Sequence, residues 1–346
     1  MRHYKQALCF DDILMIPQQS NIESRSDINI TAWIGQGRNV IALPFPVIAA
    51  PMDTVCERDM ALAMRMNGGL GIIHRYMSIE KQSEMVRLCS MEDGIVVGAA
   101  VGATGDYLER AFQLSYNGAS IILIDTANGH NQNAVNAVKK VRANVGNHVH
   151  VMAGNVSTEY AFMALSEAGA DSIRVGIGGG AACTTRIVTG HGIPTLQSII
   201  DIRKAIGDRF RTSIIADGGI KTSGDAVKAF AAGADCVMVG SAFAGTDQAP
   251  GPIITENGKK YKGFRGMASF EAQINRDQPI SVIEGIATKI PYKGSVGTII
   301  KDWAGGIRSG LSYSGVTNLR ELYEESMYVT VSQASLGESV PHALKK

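Results

Sequence analysis

Eight short apolar runs recur along the chain with helical stretches between them, and this alternation limits the fold more than any other feature. The runs are "PVIAAPM" (46–52), "GLGIIH" (69–74), "GIVVGAAVG" (94–102), "SIILIDTA" (120–127), "VHVMAGNV" (149–156), "SIRVGIG" (172–178), "TSIIADGG" (212–219) and "CVMVGSAF" (236–243). Continuous apolar runs of this length fit strands covered on both faces. The segments between them, such as "YLERAFQLSYNGA", "TEYAFMALSEAGA" and "GDAVKAFAAGA", carry apolar residues at helical spacing and close on Gly-Ala, a helix-stop signal. Most repeats span roughly 23 to 29 residues, about the size of one βα unit. Eight strands with alternating helices predict an α/β chain folded as a (β/α)8 barrel of the TIM type rather than an open doubly wound sheet.

Two places break the rhythm. About 40 residues separate the sixth and seventh runs, and about 100 follow the eighth, more than one barrel helix needs. The first excess holds the loop 176–192, "GIGGGAACTTRIVTGHG". The second holds "TENGKKYKGFRGMAS", a predicted hairpin with Asn-Gly at its turn, then the polar "FEAQINRDQPISVIEG", expected to be mobile, and the helical "VGTIIKDWAGGIRSGL". Hairpin and flap together cover about 252–290, and nothing reads as a linker, so residues 1–346 are expected to form a single barrel domain with this extension.

In such a barrel the chemistry lies at the C-terminal ends of the strands. The polar, glycine-rich words "DTANGH", "AGNVS", "GIGGGAAC", "DGGIKTSG" and "GSAFAG" all fall there. Glycine turns after the seventh and eighth strands, at Gly218, Gly219, Gly240 and Ser241, suit phosphate binding through backbone N–H groups. Asp217 is placed to accept hydrogen bonds from sugar hydroxyls beside that phosphate.

Composition excludes several classes. Formal net charge is +1, from 33 basic and 32 acidic residues, with no basic stripe, so neither nucleic acid nor an anionic membrane is expected as the main partner. The start of the chain lacks a signal-peptide core, and no apolar run reaches the length of a membrane span. Five scattered cysteines and seven histidines show no metal-like spacing, which predicts a reducing, cytoplasmic setting without disulfides or structural zinc.

Cys183 stands apart from Cys9, Cys56, Cys89 and Cys236 because it follows the glycines of the inserted loop over the barrel mouth. On residue chemistry alone it reads equally as a nucleophile activated by surrounding N–H groups or as a small packed residue. Asp125 and Asp217 read as site residues or as caps of turns. Glu284 is a surface carboxylate unless its loop folds over the mouth, and His130 and His191 read as solvated loop residues.

The loop "GIGGGAACTTRIVTG" resembles the "GIGPGSxCTTR" loop of the IMP dehydrogenase/GMP reductase family. The likeness runs through "FDDILMIP", "APMDTV", "GGLGIIHRYMSIE", "DTANGH", "IADGGIKTSGD", "GSAFAGTDQAPG", "GFRGMAS", "IPYKGSVG" and "GGIRSGLSYSG". The resemblance implies a tetrameric (β/α)8 barrel acting on a purine nucleoside monophosphate with a nicotinamide cofactor. It implies that Cys183 attacks purine C2, with hydride passing between C2 and the nicotinamide. By the same resemblance Thr185 and Glu284 assist ammonia departure, and Gly266, Met267, Ala268 and Gly285 surround the base. The cofactor is expected along Ser24, Arg25, Arg75, Asp125, Thr126 and Ala127, with Ser309, Gly310, Leu311 and Ser312 of a neighbouring subunit. Carbonyls of Gly176, Gly178 and Cys183 are the implied potassium ligands.

The resemblance also bears on the direction of the reaction. Family dehydrogenases usually carry a regulatory insertion after the second strand, for which "SIEKQSEMVRLCSMEDGIVVG" leaves no room. They hydrolyse the thioimidate with an Arg-Tyr pair on a long flap. Here the flap, Ala268 to Ile283, is short, and Arg276 is followed by Asp277. Ser309 and Ser312 in "IRSGLSYSG" are also closer to reductases. Against this, "APMDTV" with Pro51, "RIVTG", "AGTD" and "PYKGSVG" are more dehydrogenase-like. Gly179 and Ala181 stand where the family has proline and a phosphate-binding serine, Ala268 where reductases have serine, and Ser281 where they usually have arginine. The expectation is an NADPH-dependent GMP reductase, with NADH as alternative cofactor. Its rivals are an IMP dehydrogenase with a reduced flap and a barrel that binds purine nucleotides without turnover.

Overall fold

The computed structural model describes residues 6–339 apart from 93, 95, 208–209 and 275–281. Each apolar run contains one parallel strand: β1 Val47–Ala49, β2 Leu70–Ile73, β3 Gly98–Val101, β4 Ile121–Asp125, β5 His150–Val156, β6 Ser172–Val175, β7 Ser213–Asp217 and β8 Cys236–Val239. They pair in sequence order and β8 pairs back on β1, Val237 beside Val47, closing an eight-stranded barrel. Ile48, Leu70, Ile72, Leu123, Met152 and Met238 belong to the apolar cluster that fills its interior. The alternate residues pack against the surrounding helices in a larger cluster. Only three strand residues escape full burial: Asp125 on β4, Asn155 on β5 and Asp217 on β7. All three lie at or next to C-terminal strand ends, so the pattern of burial alone marks the working face.

The helices start where the sequence offers caps. Ser78 accepts from Lys81 N ahead of Ile79–Ser90, and Thr222 and Asp225 form a capping box at Ser223–Ala231. Beneath the barrel an antiparallel hairpin, Ala32–Ile34 with Ile41–Leu43, inserts Ile34 and Leu43 into the interior cluster and closes the floor. Near the termini, Ile13–Met15 pairs with Tyr328–Thr330.

The tail follows the expected hairpin and adds to it. Ile254–Glu256 pairs with Lys259–Arg265 around Asn257 and Gly258, whose φ values of 50° and 73° are the left-handed pair an Asn-Gly turn provides. A third strand, Ala287–Pro291, joins the other edge, and a short helix, Phe270–Ile274, opens the polar stretch expected to be mobile. The predicted closing helix runs over Val296–Tyr313 and buries Ile300, Trp303, Ile307 and Leu311 against the barrel. No described helix is long and apolar enough to cross a membrane.

Candidate active site

A cavity of about 420 Å³ opens at the C-terminal ends of the strands. On its floor lies Arg174, a buried guanidinium at the end of β6 held between two carboxylates. Nη1 donates to Asp125 Oδ1 at 2.6 Å, while Nε and Nη2 donate to Asp217 Oδ2 at 3.1 and 2.8 Å. Asn155 Nδ2 donates to the same Asp217 oxygen at 2.7 Å and to the Gly176 carbonyl at 2.8 Å. The contacts all fall on Oδ2, so among the described residues Oδ1 of Asp217 is left for a ligand. Burial works against both charges of the Arg174–Asp125 pair. The neighbouring carboxylates nonetheless raise the Arg174 pKa, and Arg174 with Arg75 holds Asp125 below the usual carboxylate range. Arg75 Nε lies 3.6 Å from Asp125 Oδ2, beyond a hydrogen bond, and is buried with no hydrogen-bond partner among the described residues.

Glycine is needed where the loop leaves β6. Gly176 has φ 142°, and a Cβ there would stand 1.9 Å from the Asp217 carbonyl oxygen. Beyond it, Cys183 Sγ donates to Thr185 Oγ1 at 3.1 Å, and Thr185 Oγ1 donates to Glu284 Oε2 at 2.8 Å. Glu284 therefore belongs to a loop that does fold over the mouth. Backbone bonds fix that approach: Thr184 N to Glu284 O at 3.0 Å, Ile286 N to Ala182 O at 3.1 Å and Glu284 N to Ala268 O at 3.0 Å. Gly285 lies behind the cysteine in this zipper, and a Cβ on it would meet Ala182 O at 3.2 Å.

Gly218 and Gly219, with φ of 95° and 82°, turn the chain after β7 and line the cavity together with Gly240 and Ser241. Lys293 Nζ anchors the second turn from behind, on the carbonyls of Ser241 at 2.6 Å and Ala242 at 3.0 Å. Gly266, Met267 and Ala268 line the cavity beside the cysteine loop, and Thr126 and Ala127 continue the rim beside Asp125.

Other expected residues lie elsewhere. Ser24 caps the turn Arg25–Asp27, which packs on the helix Val296–Tyr313 that carries Ser309–Ser312, and none of these lines the mouth of the same chain. The Leu311 side chain is fully buried, so only its backbone is available to a ligand. Gly176 O, one of the carbonyls expected to ligate potassium, accepts the Asn155 amide at 2.8 Å. His130 and His191 are exposed outside the cavity. Arg276, Asp277 and Ser281 lie outside the described residues. Burial pushes the thiols of Cys56, Cys236 and Cys89 up, the last to about 11, as inert packed cysteines require. Arg174 and Asn155 were not singled out from sequence, although an arginine inside an otherwise apolar strand was a signal that a buried partner awaited it.

A family model described as "IMP dehydrogenase / GMP reductase domain" matches residues 7–342. Similar curated proteins include an inosine-5′-monophosphate dehydrogenase of Borreliella burgdorferi, 35% identical over 98% of this chain and 97% of its own length. One from Nitrosopumilus maritimus is 32% identical over 98% of both chains, and a GMP reductase of Leishmania major is 30% identical over 99% and 98%. A crystal structure of GMP reductase from Trypanosoma brucei in complex with guanosine 5′-monophosphate superimposes with a TM-score of 0.93 at 29% identity, covering 99% of both chains. With a closed barrel, a cysteine loop over its mouth and this likeness along nearly the whole length, the chain belongs to the IMP dehydrogenase/GMP reductase family.

Proposed function

We propose that the chain is a GMP reductase, converting GMP to IMP and ammonia at the expense of NADPH. The unbroken line of hydrogen bonds from Cys183 through Thr185 to Glu284 supports covalent chemistry at the cysteine, and the absence of an Arg-Tyr pair from the flap sequence carries the choice of a reductase. The GMP phosphate rests on the backbone of Gly218, Gly219, Gly240 and Ser241, its ribose on Asp217, and its base between Cys183 and the Gly266–Ala268 wall. Each donor in the line points toward the carboxylate, so the thiol proton has a path through the Thr185 hydroxyl to Glu284. The resulting thiolate adds to purine C2. Glu284 returns the proton through Thr185 to the departing amino group, the C2–N bond breaks, and ammonia leaves a thioimidate on Cys183. Hydride addition at C2 and loss of the thiolate then give IMP.

The residues beside the base fit a nicotinamide. Arg75 Nε is a buried donor with no acceptor among the described residues, and Asp125, Thr126 and Ala127 line the same rim. When bound, the reduced nicotinamide supplies the hydride, with NADH as the alternative to NADPH. Arg174 holds Asp125 and Asp217 apart at a fixed spacing, so one guanidinium orients the cofactor and substrate sides together. The resemblance further assigns the far end of the cofactor to Ser24 and Arg25 and to Ser309–Ser312 of a neighbouring subunit in a homotetramer, which light scattering checks.

Similarity to dehydrogenases keeps a second reading alive, oxidation of IMP with NAD. Length does not separate the two activities among the relatives. The alignment to the Leishmania major reductase runs over 484 positions and that to the Borreliella burgdorferi dehydrogenase over 398, against 346 residues here. The reductase is favoured because the dehydrogenase needs a base to activate water, and the flap sequence offers no Arg-Tyr pair. Nicotinamide absorbance followed both ways is the test. Loss of NADPH with GMP, accompanied by ammonia, supports the reductase, whereas NADH formed from IMP and NAD overturns it.

A further inference from the structure

A second cavity of about 220 Å³ adjoins the mouth on its phosphate side. The two share Gly179, Ala181, Gly218, Gly219, Ile220 and Ser241, so a phosphate on the glycine turns stands at their junction. The second cavity adds two cations, Lys221 and Arg186, and the hydroxyl-bearing Thr195. Its one carboxylate is Asp11, which accepts from Lys221 Nζ at 3.0 Å. Arg186 spends Nη2 on the Ile193 carbonyl at 3.2 Å.

The neck between the cavities is lined by the two positions at which this loop departs from the family pattern. A Cβ at Gly179 would stand 2.9 Å from Thr195 Oγ1, so any side chain there narrows the passage. Ala181 is exposed and brings no hydroxyl to close around a single phosphate. Small residues at the neck and net positive charge beyond it are what a second phosphate needs.

We propose that this cavity is a binding site for the terminal phosphate of a nucleoside 5′-diphosphate, held by Lys221 and Arg186 while the first phosphate rests on the glycine turns. The site therefore takes a purine nucleoside diphosphate as well as the monophosphate. This rests on the reading of the mouth as a purine nucleotide site. The β-phosphate competes with Asp11 for Lys221, so removing the Asp11 charge frees the lysine for the ligand.

Calorimetric titration of the full chain with GMP and with GDP, without divalent metal, tests the assignment. GDP is expected to bind at least as tightly as GMP. Lys221→Ala should lower the GDP-to-GMP affinity ratio roughly five- to tenfold, and Asp11→Asn should raise it. GDP binding tenfold or more weaker than GMP overturns the proposal while leaving the mouth as a monophosphate site. An unchanged ratio in Lys221→Ala overturns the placement of the second phosphate. If neither nucleotide binds, the reading of the mouth fails and this inference fails with it.

Discussion

The two ends of the barrel use the same chemistry for different purposes. At the floor, Arg142 donates to the carbonyls of Gly169, Gly146 and Val149 at 3.1, 2.9 and 2.8 Å and pairs with Asp171. Asp171 also accepts from Val151 N at 2.8 Å, and the hairpin 32–43 covers the end. This arginine is bound on every side by groups the fold fixes in place. At the mouth, Arg174 is shared between two carboxylates that line an open cavity, beside Arg75 Nε, which has no hydrogen-bond partner among the described residues. A buried ion pair saturated by backbone holds structure. One left with unspent valence at a strand end is arranged for a ligand.

Substitutions sharpen that contrast. The largest effect is expected at the mouth: Cys183→Ala should lower GMP turnover by roughly ten-thousandfold or more, while nucleotide binding by calorimetry persists. Lost binding would place the cysteine in structure instead. At the floor, Arg142→Ala should cost about 3–5 kcal/mol of stability by leaving Asp171 unpaired, read from denaturant unfolding. The kcat/KM of the folded enzyme should stay within about twofold, because Arg142 touches nothing at the mouth. Glu284→Gln keeps the shape of the relay but cannot take up the thiol proton, and should lower kcat by about a hundredfold with little change in melting temperature.

The smallest effect is a pH dependence set at the floor. His150 Nδ1 contacts the Asn39 carbonyl at 3.0 Å and Nε2 the Ser172 hydroxyl at 2.7 Å, and burial lowers its pKa below the ordinary 6.5. The unfolded chain therefore takes up a proton near pH 6.5 that the folded one refuses. The contribution is complete above that pH and is lost as pH falls from 6.5 toward the folded value. Melting temperature should fall between about pH 7.5 and about 5.5, and less so in His150→Gln.

The barrel was legible because strands buried on both faces write themselves as continuous apolar runs. Short elements outside the barrel left no such trace. Ala287–Pro291 is almost wholly exposed and becomes a strand only beside Lys259–Arg265, and Ile13–Met15 finds its partner more than 300 residues away, at Tyr328–Thr330. The floor hairpin hid for the same reason, since "AWI" and "IAL" are too short to show a period. Cys183 and the glycine turns were visible through position and composition. The meeting of Thr185 with Glu284 lies 99 residues apart in sequence and came from resemblance, not spacing. Arg174 was missed because the apolar run around it reads simply as a strand.

In the proposed reaction Cys183 carries the purine as a covalent adduct. Enzyme quenched with acid during turnover of GMP and NADPH, digested and mapped by mass spectrometry, tests it most directly. A purine nucleotide that has lost ammonia is expected on the peptide bearing Cys183, and on no other cysteine. Turnover of GMP with Cys183 unmodified, or an adduct on another residue, would contradict it.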